Sequence, residues 1–270
     1  MKRVRKSDEP PHLTGFRRSR PDATWAELRN DAHFGGMQAY DDVRDTTALD
    51  QGRICAYCEI EVDPANALRI RVEHFHSKSD VQANAVNWAL HWPNMLAVCL
   101  GGGNPAMPAP FFADPLPANL SCDSHKAHFE QIGRLAIPCD GDVLNPLLTP
   151  AYPSLFKYLH SVGELEPDPV ACNATVIAGN RHASTEALVA RTIEVFNLNC
   201  IRLCDARLII SRSIERDKKA ARQEGLSPDA GLARIASRKF VQSFPQFFTT
   251  VRACLGQAAE TYLQGIQYNG

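Results

Sequence analysis

Two cysteines spaced two residues apart, Cys55 and Cys58, constrain the fold of this chain more than any other feature. This spacing lets both thiolates reach one tetrahedral metal ion, and a structural zinc site needs two further ligands. Cys99 and Cys122 are the natural candidates, although 22 residues separate them and must loop out. Residues 101–117 are rich in glycine and proline, which makes such a loop feasible. The sequence therefore predicts a four-cysteine zinc site.

The cysteine pair has other interpretations. A lone C-x-x-C is also found in dithiol redox proteins, but nothing around this pair resembles a strand entering a βαβ unit. The chain has nine cysteines, and an odd number in a reducing compartment argues against a disulfide framework. Cys200, Cys204 and Cys254 lie in segments of helical periodicity, where cysteine is usually a small buried apolar residue. Zinc is therefore the favoured interpretation.

Composition sets wider limits on the function. The chain has 270 residues, of which 44% are hydrophobic and 22% charged, as expected for a globular protein with a packed core. The formal net charge of −1 means that any surface for nucleic acid must be a local patch. The sequence shows neither a run of about eighteen apolar residues nor a secretory signal, so we expect no membrane span and a cytoplasmic location.

We expect an α+β fold in three regions. Residues 1–50 should form an extended N-terminal arm over the first twenty residues and a helical lead, with one or two helices between 23 and 50 and a break at Gly35-Gly36. Residues 51–140 should form the core with the zinc site, including a turn at Asp63-Pro64, a strand at 68–72 and a helix that opens at 121–123. Residues 141–270 should form a hairpin that turns at Val162-Gly163 and a mainly helical region. Its predicted helices lie near 184–194, 198–223, 229–242 and 245–265.

Four residues around the cysteine set suggest hydrolysis of a phosphodiester. That reaction needs a base to deprotonate water, a divalent ion to neutralise charge on the phosphate, and a rigid frame. His74 can be the base, because an unperturbed histidine is largely neutral near pH 7. Glu73 and Asp123 are carboxylates that can hold Mg²⁺ or Mn²⁺. Asn94 can lock the loop between the strands by side-chain hydrogen bonds.

Each of these residues has a structural alternative. His74 could be a buried core histidine, Asp123 could be the cap of the helix that it opens, and Asn94 could be an ordinary turn residue. Lys126 and Lys78 are candidates for phosphate contacts, although lysine at a helix start is usually only solvated. The same holds for the charged residues 212–222 on a predicted helix. His76 and His125 are second-rank candidates for ligands or phosphate contacts.

The motifs that carry these residues resemble those of one known family. They are C-A-Y-C-E at 55–59, E-H-F at 73–75, W-P-N-M-L-A-V-C at 92–99, C-D-S-H-K at 122–126 and T-I-E-V-F-N-L-N at 192–199. This set resembles PtuB, the HNH nuclease subunit of Septu anti-phage systems and of some retrons. Two positions depart from the usual pattern: Ser77-Lys78 stands where a proline-lysine pair is common, and Asp123 replaces the histidine that ends many HNH motifs.

The resemblance implies a ββα-metal core within 51–140 that is braced by structural Zn²⁺ and loaded with catalytic Mg²⁺ or Mn²⁺. It also implies a role in bacterial defence, with a PtuA-type ATPase as partner in a larger hetero-oligomer and the region 141–270 as its docking surface. The rival hypothesis is a non-catalytic zinc module that binds nucleic acid or protein. Such a module would not need Glu73-His74 or Asp123, so we favour the nuclease. The choice between DNA and RNA stays open.

Overall fold

The computed structural model describes residues 1–66, 69–80, 86–103, 116–241 and 244–270. Two antiparallel strand pairs lie in these ranges: β1 (Arg71–His74) with β2 (Met95–Val98), and β3 (Phe156–Tyr158) with β4 (Leu165–Pro167). The helices are α1 (Pro11–Ser19), α2 (Trp25–Asn30), α3 (Gly36–Asp50), α4 (Cys122–Gln131), α5 (Pro169–Asn173), α6 (Thr185–Val195), α7 (Ile201–Gln223), α8 (Pro228–Lys239), α9 (Phe248–Leu255) and α10 (Gln257–Gly265). The described chain thus mixes helices with small sheets, as the sequence predicted. Within the described ranges, no helix has both the length and the apolar character to cross a membrane.

The first twenty residues do not form the extended arm that we expected. Leu13 and Phe16, three residues apart, form the buried side of α1, and proline occupies its first position. The polar composition of this segment hides these two apolar positions. The residues before α1 are also packed: Met1 and Val4 are buried, and the Val4 amide donates a hydrogen bond to the carbonyl of Pro146.

The one or two helices predicted between 23 and 50 are two helices in the structure, α2 and α3. Thr24 caps α2 in a reciprocal box with Glu27. Gly36 begins α3 so close to α2 that an added Cβ would lie 2.4 Å from the carbonyl oxygen of Leu28. The three N-terminal helices share a small apolar core with the segment that leads into β2. Its members include Leu13, Phe16, Trp25, Leu28, Val43, Leu90, Trp92 and Met95.

The strand pair β1–β2 presents the candidate residues. The predicted strand at 68–72 is shifted toward the C-terminus, since β1 runs to His74, which pairs with Met95; Leu68 lies outside the described residues. All four residues of β2 are buried. Residues 104–115 of the predicted glycine- and proline-rich loop also lie outside the described ranges.

Helix α4 begins at Cys122 as predicted, but the expected side-chain cap is wrong. Ser121 stands at the N-cap, but its hydroxyl accepts no hydrogen bond from a helix amide; it accepts one from the Arg202 guanidinium at 2.9 Å and donates one to Cys122 Sγ. Asp123 lies in the first turn of the helix instead. Its carboxylate is therefore not the N-cap.

The C-terminal region contains the predicted hairpin, with Gly163 at φ +80° in its turn. Helices α6, α7 and α8 match their predicted segments. The helix predicted for 245–265 is instead two helices separated at Gly256, and the short α5, capped by Asp168, was not predicted. The main hydrophobic core contains residues from all three predicted regions, including the cysteine set.

Candidate functional site

The four cysteines predicted to share a metal lie together. Their sulfur atoms are all within 4.8 Å of one another, and all four residues are buried. The Sγ–Sγ distances are 3.5 Å between Cys58 and Cys99, 3.7 Å between Cys99 and Cys122, and 3.8 Å between Cys55 and Cys122. Tetrahedral zinc with bonds of about 2.3 Å would separate its sulfur ligands by roughly 3.8 Å. The spacing of the cluster therefore fits one zinc ion.

The protonation of the thiols also suits a metal. Burial opposes ionisation of Cys55, but hydrogen bonds from the three neighbouring thiols outweigh it and lower the pKa of Cys55 well below the ordinary value. Burial raises the pKa of Cys122. Without metal, the Cys55 thiol therefore ionises more readily than the Cys122 thiol. A bound divalent ion would instead take all four sulfurs as thiolates.

The segment 192–199 supports this cluster, a role that sequence reasoning did not assign to it. Phe196 stacks on Tyr57, which lies between the first two cysteines, with ring centroids 4.0 Å apart. The Phe196 carbonyl accepts a hydrogen bond from the Cys122 amide, and the Asn197 side chain donates one to the Leu120 carbonyl. The downstream motif thus holds the last cysteine in place, even though it supplies no ligand.

Gly101 lets the two distant cysteines meet. Its amide donates to Cys99 Sγ at 3.4 Å, its φ is +60°, and an added Cβ would lie 2.2 Å from the Ser121 carbonyl oxygen. We expect Gly101→Ala to destabilise the fold by roughly 2–4 kcal/mol and to lower zinc content, because the backbone must move.

The control for Gly101→Ala is Gly133→Ala, where φ is +70° but no atom lies within 4 Å of an added Cβ. This substitution should lower the free energy of unfolding by about 1 kcal/mol, the cost of a side chain in the left-handed conformation, and should leave zinc bound. Thermal unfolding and zinc content measure both effects. Equal losses in the two variants would contradict the close approach at Gly101.

Two carboxylates, those of Glu73 and Asp123, lie close enough beside the cysteine cluster for their charges to interact. Glu73 projects from β1 and Asp123 from α4, and their side chains are 16% and 14% exposed. Burial, and then the nearby charge of Glu73, raise the pKa of Asp123 to about 7. Two carboxylates that repel each other in a partly buried place are stabilised by a shared cation. The pair therefore suits a divalent ion.

The buried Lys126 side chain contacts Glu73 of this pair. Its ammonium is 2.9 Å from Glu73 Oε1 and 3.1 Å from Glu130 Oε1, and it also donates to the His74 carbonyl at 3.3 Å. Burial alone would lower the pKa of Lys126, but the carboxylates of Glu73 and Glu130 outweigh it and raise the pKa. The ammonium is buried and directed at carboxylates, so it holds Glu73 in place.

His74 follows Glu73 on the strand and points to the opposite face, toward α2. Its Nε2 lies 3.1 Å from the Ala89 carbonyl oxygen, and its ring meets Trp25 edge to face at 4.6 Å. Among the residues that the structure describes, its Nδ1 is buried without a hydrogen-bond partner. Burial, assisted by the charges of Lys78 and Lys126, lowers the pKa of His74 to about 3. The ring is therefore neutral.

Asn94 ties the loop after β1 to the segment before β2. Its Oδ1 accepts from the His76 amide at 2.7 Å, and its Nδ2 donates to the carbonyls of His76 and Trp88 at 2.9 and 3.0 Å. The His76 ring is fixed in turn, since its two nitrogens lie 2.8 and 2.7 Å from carboxylate oxygens of Asp140 and Asp80. This network makes the loop a rigid frame.

The remaining candidates lie at the edges of the site. Lys78 is exposed on the loop that follows His76. His125 lies on α4, where its Nδ1 is 2.8 Å from the Val195 carbonyl oxygen, and burial lowers its pKa. Arg71, which the sequence reasoning missed, begins β1 and approaches Asp123 at 3.5 Å. Its position two residues before Glu73, on the same face of the strand, was the available signal.

Comparison with known proteins identifies the class of this protein. No protein-family model matches the chain. A curated relative, described as an HNH endonuclease, is 38% identical over 253 residues, which are 93% of this chain and 92% of the relative. The chain therefore belongs to the HNH endonuclease family and is a nuclease, with nucleic acid as its substrate. The relative is a protein of Escherichia coli named Retron Ec83 putative HNH endonuclease.

Proposed function

We propose that this nuclease hydrolyses phosphodiester bonds with His74 as general base and with one Mg²⁺ or Mn²⁺ held by Glu73 and Asp123. The observation that carries the proposal is the proximity of the Glu73 and Asp123 carboxylates, which come from β1 and the start of α4, with His74 directly after Glu73 on the strand. We also propose that β1, β2 and α4 form the ββα-metal core of the HNH fold. The region 51–140 would then be the catalytic core, between the N-terminal lead 1–50 and the region 141–270.

The contact at Ala89 assigns the proton on His74. A carbonyl oxygen can only accept a hydrogen bond, so Nε2 of the imidazole must carry the hydrogen. The lone pair of the neutral ring then lies on Nδ1, the nitrogen that accepts a proton from the attacking water. The negative charge of a bound phosphodiester would raise the pKa of His74 toward the range useful for a base. Because Nδ1 is buried, side chains around it must move apart when substrate binds.

The carboxylates of Glu73 and Asp123 would hold the ion, and His74 is the residue that follows Glu73 on β1. When bound, the divalent ion neutralises charge on the phosphate and on the leaving oxygen. The ion pair of 2.9 Å between the Lys126 ammonium and Glu73 Oε1 fixes the Glu73 carboxylate. Asn94 holds the loop between the strands, so that His74 keeps its orientation relative to the carboxylates. Contacts of Lys126 and Lys78 with phosphate, and roles for His76 and His125, stay predictions.

The cysteine cluster is proposed to hold structural Zn²⁺. Four buried thiol groups leave no position for a water or substrate, which is typical of a structural zinc site rather than a catalytic one. The ion would fix the start of α4, and thereby Asp123, against the end of β2. The zinc site would thus position a residue of the catalytic site without taking part in the reaction.

We propose that the chain is the nuclease subunit of a PtuB-type defence system and works with a PtuA-type ATPase in a hetero-oligomer in the cytoplasm. Support comes from the motif resemblance and from the retron named in the relative's description. The helical C-terminal region would dock the ATPase. Exposed apolar side chains on α7, at Ile201 and Ile209, suit such a role.

The test is cleavage of plasmid DNA and of total tRNA by the purified chain with Mg²⁺, with Mn²⁺ or with excess chelator. Each reaction is run with and without the co-encoded ATPase. We expect cleavage of one substrate that depends on the divalent ion. Cleavage that survives complete chelation, or no cleavage of either substrate even with the ATPase, would reject the proposal.

A further inference from the structure

Arg71 lies at the open side of the carboxylate pair. It stands two residues before Glu73 on β1, so both side chains leave the same face of the strand. Its Nη1 is 3.5 Å from Asp123 Oδ2 and 3.3 Å from Ser124 Oγ. The Arg71 side chain is 36% exposed, whereas that of Lys126 is 3% exposed. Arg71 is therefore a cation that touches the site and also reaches solvent.

The contact between Arg71 and Asp123 is too loose for a dedicated ion pair. Charge-assisted hydrogen bonds between guanidinium and carboxylate usually measure about 2.7–2.9 Å and often use two donors. Here the distance is 3.5 Å, and among the described residues both hydrogen bonds of Arg71 start from Nη1. Within the described ranges, the Nε and Nη2 donors have no acceptor. Lys126, by contrast, is fully engaged with two carboxylates and a carbonyl.

A phosphodiester fits these free donors. It is an anion with two non-bridging oxygens, and the planar guanidinium fork matches that geometry better than an ammonium does. The partly buried carboxylates of Glu73 and Asp123 would repel this anion unless a divalent ion and a further cation offset their charge. Arg71 contacts the Asp123 carboxylate, shares a strand face with Glu73, and is partly exposed to solvent.

We propose that Arg71 binds the scissile phosphodiester through a non-bridging oxygen and so stabilises the charge that develops there during hydrolysis. This inference rests on the proposed function, because it assigns a substrate contact to the same site. Arg71 forms or breaks no covalent bond in the reaction. It supplies hydrogen-bond donors that are already in position when the substrate arrives.

The test compares Arg71→Ala and Arg71→Lys with Arg18→Ala, which removes one exposed positive charge from α1 outside the site. Single-turnover cleavage at saturating Mn²⁺ should fall about 100-fold in Arg71→Ala, recover partly in Arg71→Lys and stay unchanged in Arg18→Ala. Mn²⁺ affinity, measured by titration without nucleic acid, should change by less than about threefold. A large change in Mn²⁺ affinity with normal cleavage at saturation would mean that Arg71 is only a counter-ion of Asp123, and would overturn the inference.

Binding separates this inference from the proposed nuclease mechanism. A fluorescent DNA duplex is titrated at several salt concentrations with the His74→Gln variant and with the double variant His74→Gln, Arg71→Ala. Loss of one phosphate contact should weaken binding and reduce the slope of log affinity against log salt by about 0.9. If wild type binds the duplex in an Arg71-dependent way but cleaves nothing, the mechanism fails and the inference stands. If the affinity and slope do not depend on Arg71, or if wild type does not bind, the inference is overturned.

Discussion

Replacing His74 with glutamine is expected to reduce nucleic-acid cleavage by roughly 100- to 10,000-fold, the usual contribution of a general base. The glutamine amide can still donate a hydrogen bond to the Ala89 carbonyl, so the loop should keep its position. It cannot take a proton from water at the position of Nδ1. Single-turnover rates with saturating Mn²⁺ measure the loss, and thermal unfolding with zinc analysis shows that the variant is folded.

His182→Gln is the matched control for this variant. His182 also places Nε2 near a backbone carbonyl, that of Asp142 at 2.9 Å, but it lies in the C-terminal region, outside the candidate site. The two substitutions therefore remove the same kind of side chain from the same kind of contact. Cleavage by His182→Gln should stay within about twofold of wild type. If His74→Gln kept the wild-type rate, the role of the imidazole as base would be wrong.

Replacing Cys58 with serine is expected to remove the structural zinc and most of the stability of the chain. Cys58 Sγ lies 3.5 Å from Cys99 Sγ inside the buried cluster, and a neutral hydroxyl cannot replace a thiolate ligand. Structural zinc in small finger peptides contributes an apparent 10–16 kcal/mol, about as much as the whole stability of a typical domain. We expect zinc content to fall from about one ion per chain to near zero, with loss of a cooperative thermal transition.

The control for the zinc ligand is Cys254→Ser. Cys254 is also buried, but its thiol contacts Ser211 at 3.7 Å, away from the cluster. The substitution should cost about 1–2 kcal/mol for one polar group in an apolar place and should leave zinc content unchanged. A chelator should lower the melting temperature of wild type and of Cys254→Ser alike. Equal zinc content in Cys58→Ser and wild type would contradict the assignment of the ligand.

The sequence predicts the metal-related part of the molecule well because cysteine spacing is a local constraint. Cys55 and Cys58 are so close in sequence that they must lie on one tight loop. The long segment between Cys99 and Cys122 can bring these two cysteines together in many conformations. The four sulfurs accordingly lie together. The two helices on either side of Gly35-Gly36 were predictable for a similar reason, since glycine allows both the left-handed turn and the close approach to Leu28.

What the sequence did not predict depends on contacts between distant residues. The formation of helix α1 depends on Leu13 and Phe16, whose side chains are buried in the small apolar core shared with α2, α3 and the segment that leads into β2. Lys126 can be buried because it pairs with Glu73, which is 53 positions away in the sequence. A lysine at the start of a helix does not by itself predict this pairing. His76 is likewise fixed by Asp140, 64 positions along the chain. Such pairings exist only after the chain has folded.

The most direct measurement is anomalous diffraction from crystals of the full chain soaked with Mn²⁺, recorded at the zinc and manganese absorption edges. We expect a zinc peak within about 2.3 Å of the four cysteine sulfurs. We also expect a manganese peak between the carboxylates of Glu73 and Asp123, on the side of the strand pair that Arg71 borders. Asp123→Asn should lose the manganese peak and keep the zinc peak. Manganese bound elsewhere in the wild-type crystal, with Glu73 and Asp123 free of it, would contradict the proposed catalytic site.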